Sequence, residues 1–360
     1  MNTFFELIRM AAGVQESFSE LPPDRGAWEP LFTSAAEHNL LGFSFPVVDG
    51  LHDTVEIPLS VYSRWAMAAE KIRERNESQK EACRRISERF AEHGYRSCIL
   101  KGQAAARLYP DAGLRHSGDI DIWLEGDRDA VVAFLKQRFP VHKTVYHHCD
   151  VRMLKDTGVE VHFTPSWMNS PFGNRRLQRW FAKNAGEQFS HFDEGLGFCV
   201  PTLRFDAVYM LIHIYRHVLE EGIGLRQLID YFYVLRHLDS AGRAAAASDL
   251  KYLHMDSFAA SVMYVMRAVL DMDESLLLCP PDPAGGAFLL DEIMRSGNFG
   301  RCDPRNSHGE DEGVVAHGRR KVSRGMRYLL HYPSEVLWMP FYMCWQYFWR
   351  KRHNYLYKGR

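Results

Sequence analysis

No stretch of the 360 residues is apolar for long enough to cross a bilayer. The most apolar run, Val336 to Trp349, contains Pro340 and Gln346 and falls short of the roughly 20 residues that a spanning helix needs. Cysteine is sparse. Seven are scattered along the chain (83, 98, 149, 199, 279, 302 and 344), odd in number and without a Cys-x-x-Cys pair. That usage is expected of reduced thiols in a cytoplasmic protein, not of a disulfide framework. Charge of one sign is lacking as well: 44 basic and 45 acidic side chains leave a formal net charge of −1. A nonspecific nucleic-acid binder that relies on overall positive charge is thereby disfavoured. A secretory leader is not expected either, because Glu6 and Arg9 interrupt the apolar N-terminus, which reads as an amphipathic helix. There is no Gly-x-Ser-x-Gly and no Ser or Cys nucleophile with a placed histidine.

What is present is ample core material, 46% hydrophobic residues, enough for one large domain or two. Residues 1–94 read as a helical N-terminal segment, its last helix running from Leu59 to His93 with Gly94 as the stop. From residue 95 the pattern changes. Tyr95 to Leu100 is a short strand ending at Lys101-Gly102, Gln103 to Tyr109 a short helix, and Asp119 to Leu124 an alternating strand. Asp127 to Phe139 reads as a helix capped by Asp127. Thr144 to Leu154 and Val159 to Phe163 read as two further strands, with Asp156-Thr157-Gly158 as a hairpin turn between them.

Helices return over 204–220, 225–238, 241–253 and 257–270. The expected organisation is therefore α+β (mixed α/β). A core of four to five strands (95–200) lies between the helical segment 1–94 and a helical domain 201–295. A flexible loop (296–318) and C-terminal helices (319–360) follow. The last forty-two residues hold ten Lys or Arg and one acid, Glu335, together with a stripe of aromatics from Trp338 to Trp349. Docking of this helix on the body is the first expectation. A peripheral contact with an acidic membrane surface or with a partner is the alternative.

The sharpest chemical feature is Asp119-Ile120-Asp121-Ile122. Residues i and i+2 of a strand share a face, so both carboxylates point one way and both isoleucines the other. Adjacent carboxylates repel unless a cation lies between them, and hard oxygen ligands held this close suit magnesium. Glu160, in Val159-Glu160-Val161-His162, is placed to supply a third acid. A solvated acidic strand face would look the same in isolation. Arg115 and Ser117 stand just before the acids, suited to donating to a polyphosphate, and Lys101-Gly102 allows close approach of backbone to phosphate. His213 and His217 share one helix face, as do Arg226 and Asp230 on the next. They line a cleft or, equally, fix helix packing. Zinc at the histidine pair is disfavoured, since no His-Glu-x-x-His or third ligand is evident. His147-His148-Cys149-Asp150 reads as a solvated strand.

The run Leu100-Lys101-Gly102, Leu108-Tyr109-Pro110, Gly113-Leu114-Arg115, Gly118-Asp119-Ile120-Asp121 and Val159-Glu160-Val161-His162 resembles a little-characterised bacterial family of the polymerase-beta-like nucleotidyltransferase superfamily. The likeness covers about residues 95–240. It implies a minimal nucleotidyltransferase core in which Asp119 and Asp121 bind two magnesium ions and Glu160 serves as third ligand or general base. Gly102, Arg115 and Ser117 would bind the phosphates of a nucleoside triphosphate, with ATP the expected donor and Lys101 and His162 close by. His213, His217, Arg226 and Asp230 would line the nucleotide or acceptor cleft. The acceptor, a small molecule, protein or RNA end, is not readable from the chain. Where the superfamily has a Gly-Ser turn this sequence has Lys-Gly. That departure keeps open a nucleotide- or partner-binding module without turnover; a metal-dependent phosphoester hydrolase, with water as acceptor, is the other alternative.

Overall fold

A computed structural model describes residues 2–19, 23–306 and 314–353. Helices α1 (Asn2–Ala11), α2 (Trp28–Glu37), α3 (Leu41–Leu51) and α4 (Leu59–Glu92) precede strand β1 (Ser97–Leu100). Then come α5 (Gly102–Ala106), β2 (Ile120–Leu124), α6 (Arg128–Arg138), β3 (Val141–Thr144), β4 (His148–Val151) and β5 (Val159–His162). Helix α7 (Pro171–Gln188) leads to a small hairpin, β6 (Phe192–Asp193) and β7 (Phe198–Cys199). The remainder is helical: α8 (Leu203–Glu220), α9 (Leu225–His237), α10 (Ser240–Tyr252), α11 (Asp256–Leu270), α12 (Pro283–Ser296), α13 (Val314–Arg327) and α14 (Pro333–Arg352). The fold is α+β with helices at both ends, as the sequence predicts.

Local chemistry sets most of these boundaries. Gly94, at φ +80°, takes the left-handed turn that ends α4, with its N–H on Ala91 O at 2.9 Å and that of Tyr95 on Phe90 O at 3.0 Å. The Asp127 carboxylate accepts from the Asp129 and Ala130 amides to start α6, and Thr202 Oγ1 accepts from Phe205 N to start α8.

The five strands lie in the order β1-β2-β5-β4-β3. Strands β2 and β5 are parallel and the other pairs antiparallel. The segment Thr144 to Leu154, expected as one strand, is instead the end of β3, a turn and then β4. Thr144 already pairs with Cys149, so the chain must reverse across Val145–His147, a break that alternation of side chains does not reveal.

The pleat gives the sheet two unlike faces. One carries Ile99, Ile120, Ile122, Leu124, Cys149, Val151, Val159 and Val161, buried against Cys83, Ile86 and Phe90 of α4 and Val131, Val132 and Leu135 of α6. The other carries Cys98, Leu100 and Trp123, which join the core of the helical region, and the charged residues of the candidate site. Helices α8 and α9 are buried almost all round, which is why they read as apolar beyond a single stripe.

The Gly- and charge-rich segment expected to be a flexible loop is partly built into the body. Residues Asn298–Gly300 and Pro304–Asn306 form 3-10 turns, with Asn298 and Asp303 buried and Arg305 paired to Glu292 at 2.9 Å. Helix α13 begins at Val314. Residues 307–313 of that segment, and 354–360 of the C-terminal one, lie outside the described residues. Helix α14 is fixed by Glu335, whose buried carboxylate accepts from Asn169 N at 2.6 Å and Ser170 N at 3.0 Å and pairs with Arg216 at 3.2 Å. Its outer side exposes Leu337, Phe341 and Phe348. Among the described residues no helix is long and apolar enough to cross a membrane.

Candidate active site

Strand register assembles the acids. Asp121 of β2 stands opposite Glu160 of the parallel β5, and Glu160 opposite Asp150 of β4, while Trp123, His162 and His148 form the neighbouring row. Asp119, just before β2, extends the same face. The side-chain oxygens of Asp119, Asp121 and Glu160 lie within 4.8 Å of one another.

Their protonation follows from unequal surroundings. Asp119 is the exposed member, and the charge of Asp121, with some burial, raises its carboxyl pKa. Burial opposes charge on Asp121 too. Yet Lys101 Nζ at 2.9 Å and a hydrogen bond donated by His162 Nε2, also 2.9 Å, outweigh that and hold its carboxyl well below the ordinary range. For Glu160, burial is outweighed by His162 and the nearby His148, so its pKa is lowered. His162 is the counterpart: burial resists its charge, but the hydrogen bond to Asp121 and the Glu160 carboxylate beside it push it up to about 9. Three carboxylates thus share one lysine and one imidazolium, a set that fits a divalent cation entering on the side of Asp119.

Lys101 reaches Asp121 from an unusual backbone, φ +53° and ψ −135°, a region glycine occupies readily and lysine does not. Gly102 follows at φ +36°. The Lys101 ammonium also sits 3.4 Å from His213 Nε2. Burial, then that positive charge, keeps His213 well below its usual pKa and therefore neutral. His217 packs edge-on against His213 with ring centres 4.3 Å apart.

Beside the acids lies a buried knot. Arg115, 1% exposed, donates from Nε at 2.6 Å and from Nη2 at 2.7 Å to the two oxygens of Asp230. Tyr109 Oη donates to the same carboxylate at 2.6 Å, and Arg226 Nη1 at 3.3 Å. The Arg115 guanidinium is thus engaged within the protein, and Arg226 is the excess cation: burial and Arg115 both lower its pKa. Ser117 Oγ is buried with no protein partner among the described residues.

Except for Trp123 and Tyr109, these residues line one cavity of about 890 Å³. It brings together every residue singled out in the sequence: Lys101, Gly102, Arg115, Ser117, Asp119, Asp121, Glu160, His162, His213, His217, Arg226 and Asp230. A family model described as an uncharacterised nucleotidyltransferase matches residues 24–271. The chain belongs to this nucleotidyltransferase family. No curated protein matches it. The matched segment runs from just before α2 to the end of α11, so it contains the nucleotidyltransferase sheet, α8 and α9. The far wall of the cavity lies beyond it: Asn298, Phe299, Arg301, Lys321, Met339, Tyr342, Met343, Gln346, Tyr347 and Arg350 come from residues C-terminal to the match.

Sequence reading missed several lining groups. His147, His148 and Asp150, expected on a solvated strand, face the cavity, and both histidines are buried. The signal was present in Val159-Glu160-Val161-His162, since an antiparallel hairpin across Asp156-Thr157-Gly158 pairs Glu160 with Asp150 and His162 with His148. Arg75 of α4 and the C-terminal wall carried no such signal, because only tertiary packing brings them to the site.

Proposed function

We propose that the chain catalyses divalent-metal-dependent transfer of a nucleoside monophosphate from a nucleoside triphosphate, with ATP the first donor to test, to a hydroxyl acceptor. The observation that carries this reading is the clustering of Asp119, Asp121 and Glu160 within 4.8 Å in a cavity that Lys101, Arg226, Arg301 and Lys321 also line. The oxygen-only donor set fits magnesium, which takes near-octahedral oxygen ligation and keeps room for phosphate oxygens. Bound there, two magnesium ions would stabilise negative charge on the attacking and leaving oxygens.

The chain's own groups supply the rest. Glu160, kept ionised by His162, accepts the proton of the acceptor hydroxyl as its oxygen bonds to the α-phosphorus. The bond from the α-phosphorus to the bridging oxygen breaks and pyrophosphate leaves. Arg226, the unbalanced cation of the buried knot, and the unpartnered Ser117 hydroxyl are the groups free to receive phosphate oxygens. Arg115 acts through Asp230, holding the knot in place. Base and acceptor recognition fall to the C-terminal wall, where Tyr342, Met343 and Tyr347 offer apolar and stacking surface.

One observation favours a second reading. The Lys101 ammonium, 2.9 Å from Asp121, is a resident cation beside the acids, which suits a nucleotide-binding module without turnover. The test is a panel of the four ribonucleoside triphosphates, with and without magnesium, read by thermal shift and then by transfer of α-labelled nucleotide. Magnesium-dependent binding lost in Asp119→Asn/Asp121→Asn supports the site. Pyrophosphate release separates transfer or hydrolysis from mere binding. No shift with any triphosphate would overturn the reading.

A further inference from the structure

A second group of metal-ligand side chains adjoins the carboxylates: His148, Glu160 and His162, whose ligand atoms also fall within 4.8 Å of one another. His148 Nδ1 lies 3.4 Å and His162 Nε2 3.5 Å from the same Glu160 oxygen. Those separations are long for hydrogen bonds. They match the spacing of about 3.3 Å between ligand atoms on a tetrahedral cation with bonds of about 2.0 Å. His148 is 8% and His162 3% exposed, and the Nδ1 of His148 has no hydrogen-bond partner among the described residues. Its other ring nitrogen, Nε2, sits 2.8 Å from Asp150 Oδ1. The contact is an ion pair off the line of an N–H hydrogen bond, and a carboxylate this close to Nε2 favours the tautomer protonated there, which leaves Nδ1 free to coordinate. An imidazole lone pair aimed at a carboxylate oxygen is repulsive unless a proton or a cation lies between them.

We propose that His148, Glu160 and His162 form a binding site for a borderline divalent cation such as zinc, adjoining the oxygen-only site and sharing Glu160 with it, with Asp150 orienting His148. Two imidazoles and one carboxylate favour zinc over magnesium, whose preference is for oxygen. Three protein ligands leave one position for a ligand from the cavity, as in zinc sites that take part in reactions. The cation replaces the proton that His162 Nε2 shares with Asp121 and Glu160. The site shares with the proposed transfer site Glu160 and the His162 that keeps it ionised, and rests on no other part of that reading.

The experiment is zinc titration of chelator-stripped full-length protein in excess magnesium, followed by equilibrium dialysis and by long-range imidazole NMR. Wild type should bind zinc and show His148 coordinated through Nδ1. Asp119→Asn, which removes only the oxygen-only cluster, should keep zinc affinity within about threefold. Asp150→Asn should weaken it 10- to 100-fold, and His148→Ala by more, with circular dichroism checking that each variant is folded. The proposal fails if Asp150→Asn and His148→Ala bind zinc as wild type does, or if Asp119→Asn abolishes binding. Absence of magnesium-dependent nucleotide binding in wild type, with zinc binding intact, would instead count against the transfer reading alone.

Discussion

Replacing Asp230 by asparagine and Arg226 by methionine should have opposite signatures, although the two side chains touch. The buried knot holds two guanidiniums and one carboxylate, a net charge of +1, with Asp230 accepting from Tyr109 and Arg115 at 2.6 Å and from Arg226 at 3.3 Å. Asp230→Asn doubles the unbalanced charge and strips Arg115, 1% exposed, of its partner. Removing one member of a buried pair costs about 3–5 kcal/mol, because the other charge remains out of water. Arg226→Met instead removes the excess cation and leaves the Arg115–Asp230 pair intact. Its expected cost is below about 1 kcal/mol. Function should divide the other way. If Arg226 receives phosphate, its loss removes a charge-assisted hydrogen bond of about 1.5–3 kcal/mol, roughly a 10- to 100-fold loss of triphosphate affinity. Urea unfolding monitored by tryptophan fluorescence, paired with nucleotide titration of the folded variants, measures both. An Asp230→Asn midpoint equal to wild type, or a larger stability loss in Arg226→Met than in Asp230→Asn, would refute the charge count.

Three further outcomes are expected. His162, raised to about 9 in the fold from near 6.5 unfolded, lends stability that is fully present below pH 6.5 and is lost between there and about pH 9. The total is about 3 kcal/mol, and urea midpoints measured across that window should fall in wild type but flatten in His162→Gln. Asp119→Asn should be neutral or raise the melting temperature, because it removes the carboxylate that Asp121 repels. Asp121→Asn should lower it by leaving Lys101 and His162 unpaired. Glu335→Gln should cost about 2 kcal/mol through weakened contacts to Asn169, Ser170 and Arg216. It should also speed amide exchange selectively in residues 333–352, and uniform exchange across the chain would contradict the anchoring role.

The site was legible in the sequence where one strand or one helix carries its logic. Alternation alone put Asp119 and Asp121 on one face, and the spacing of Arg226 and Asp230 put them on another. Gly94 and Asp127 marked helix ends because a left-handed turn and an unpaired amide each demand a particular residue type. What depended on register was hidden. The break between Thr144 and His148 gives no change of period, so the row of His148 and Asp150 behind Glu160 surfaced only with strand pairing. The engagement of Arg115 by Asp230 joins residues 115 positions apart, and nothing local to either announces it. Order within 298–306 rests likewise on partners outside it, Glu292 for Arg305 and Gln227 for Asn298.

Helix α14 closes the cavity from outside the segment that defines the family, and its buried charged anchor is the Glu335 carboxylate, set beside the packed Val336 and Met339. The floor, where the acids lie, and the roof, where Tyr342, Met343 and Gln346 lie, are therefore separable parts. A chimera that carries another C-terminal helix over the same acids would test whether this roof selects the acceptor, as proposed above. Such a graft must bring its own acid at position 335, or the Asn169 and Ser170 amides and Arg216 lose the carboxylate they share.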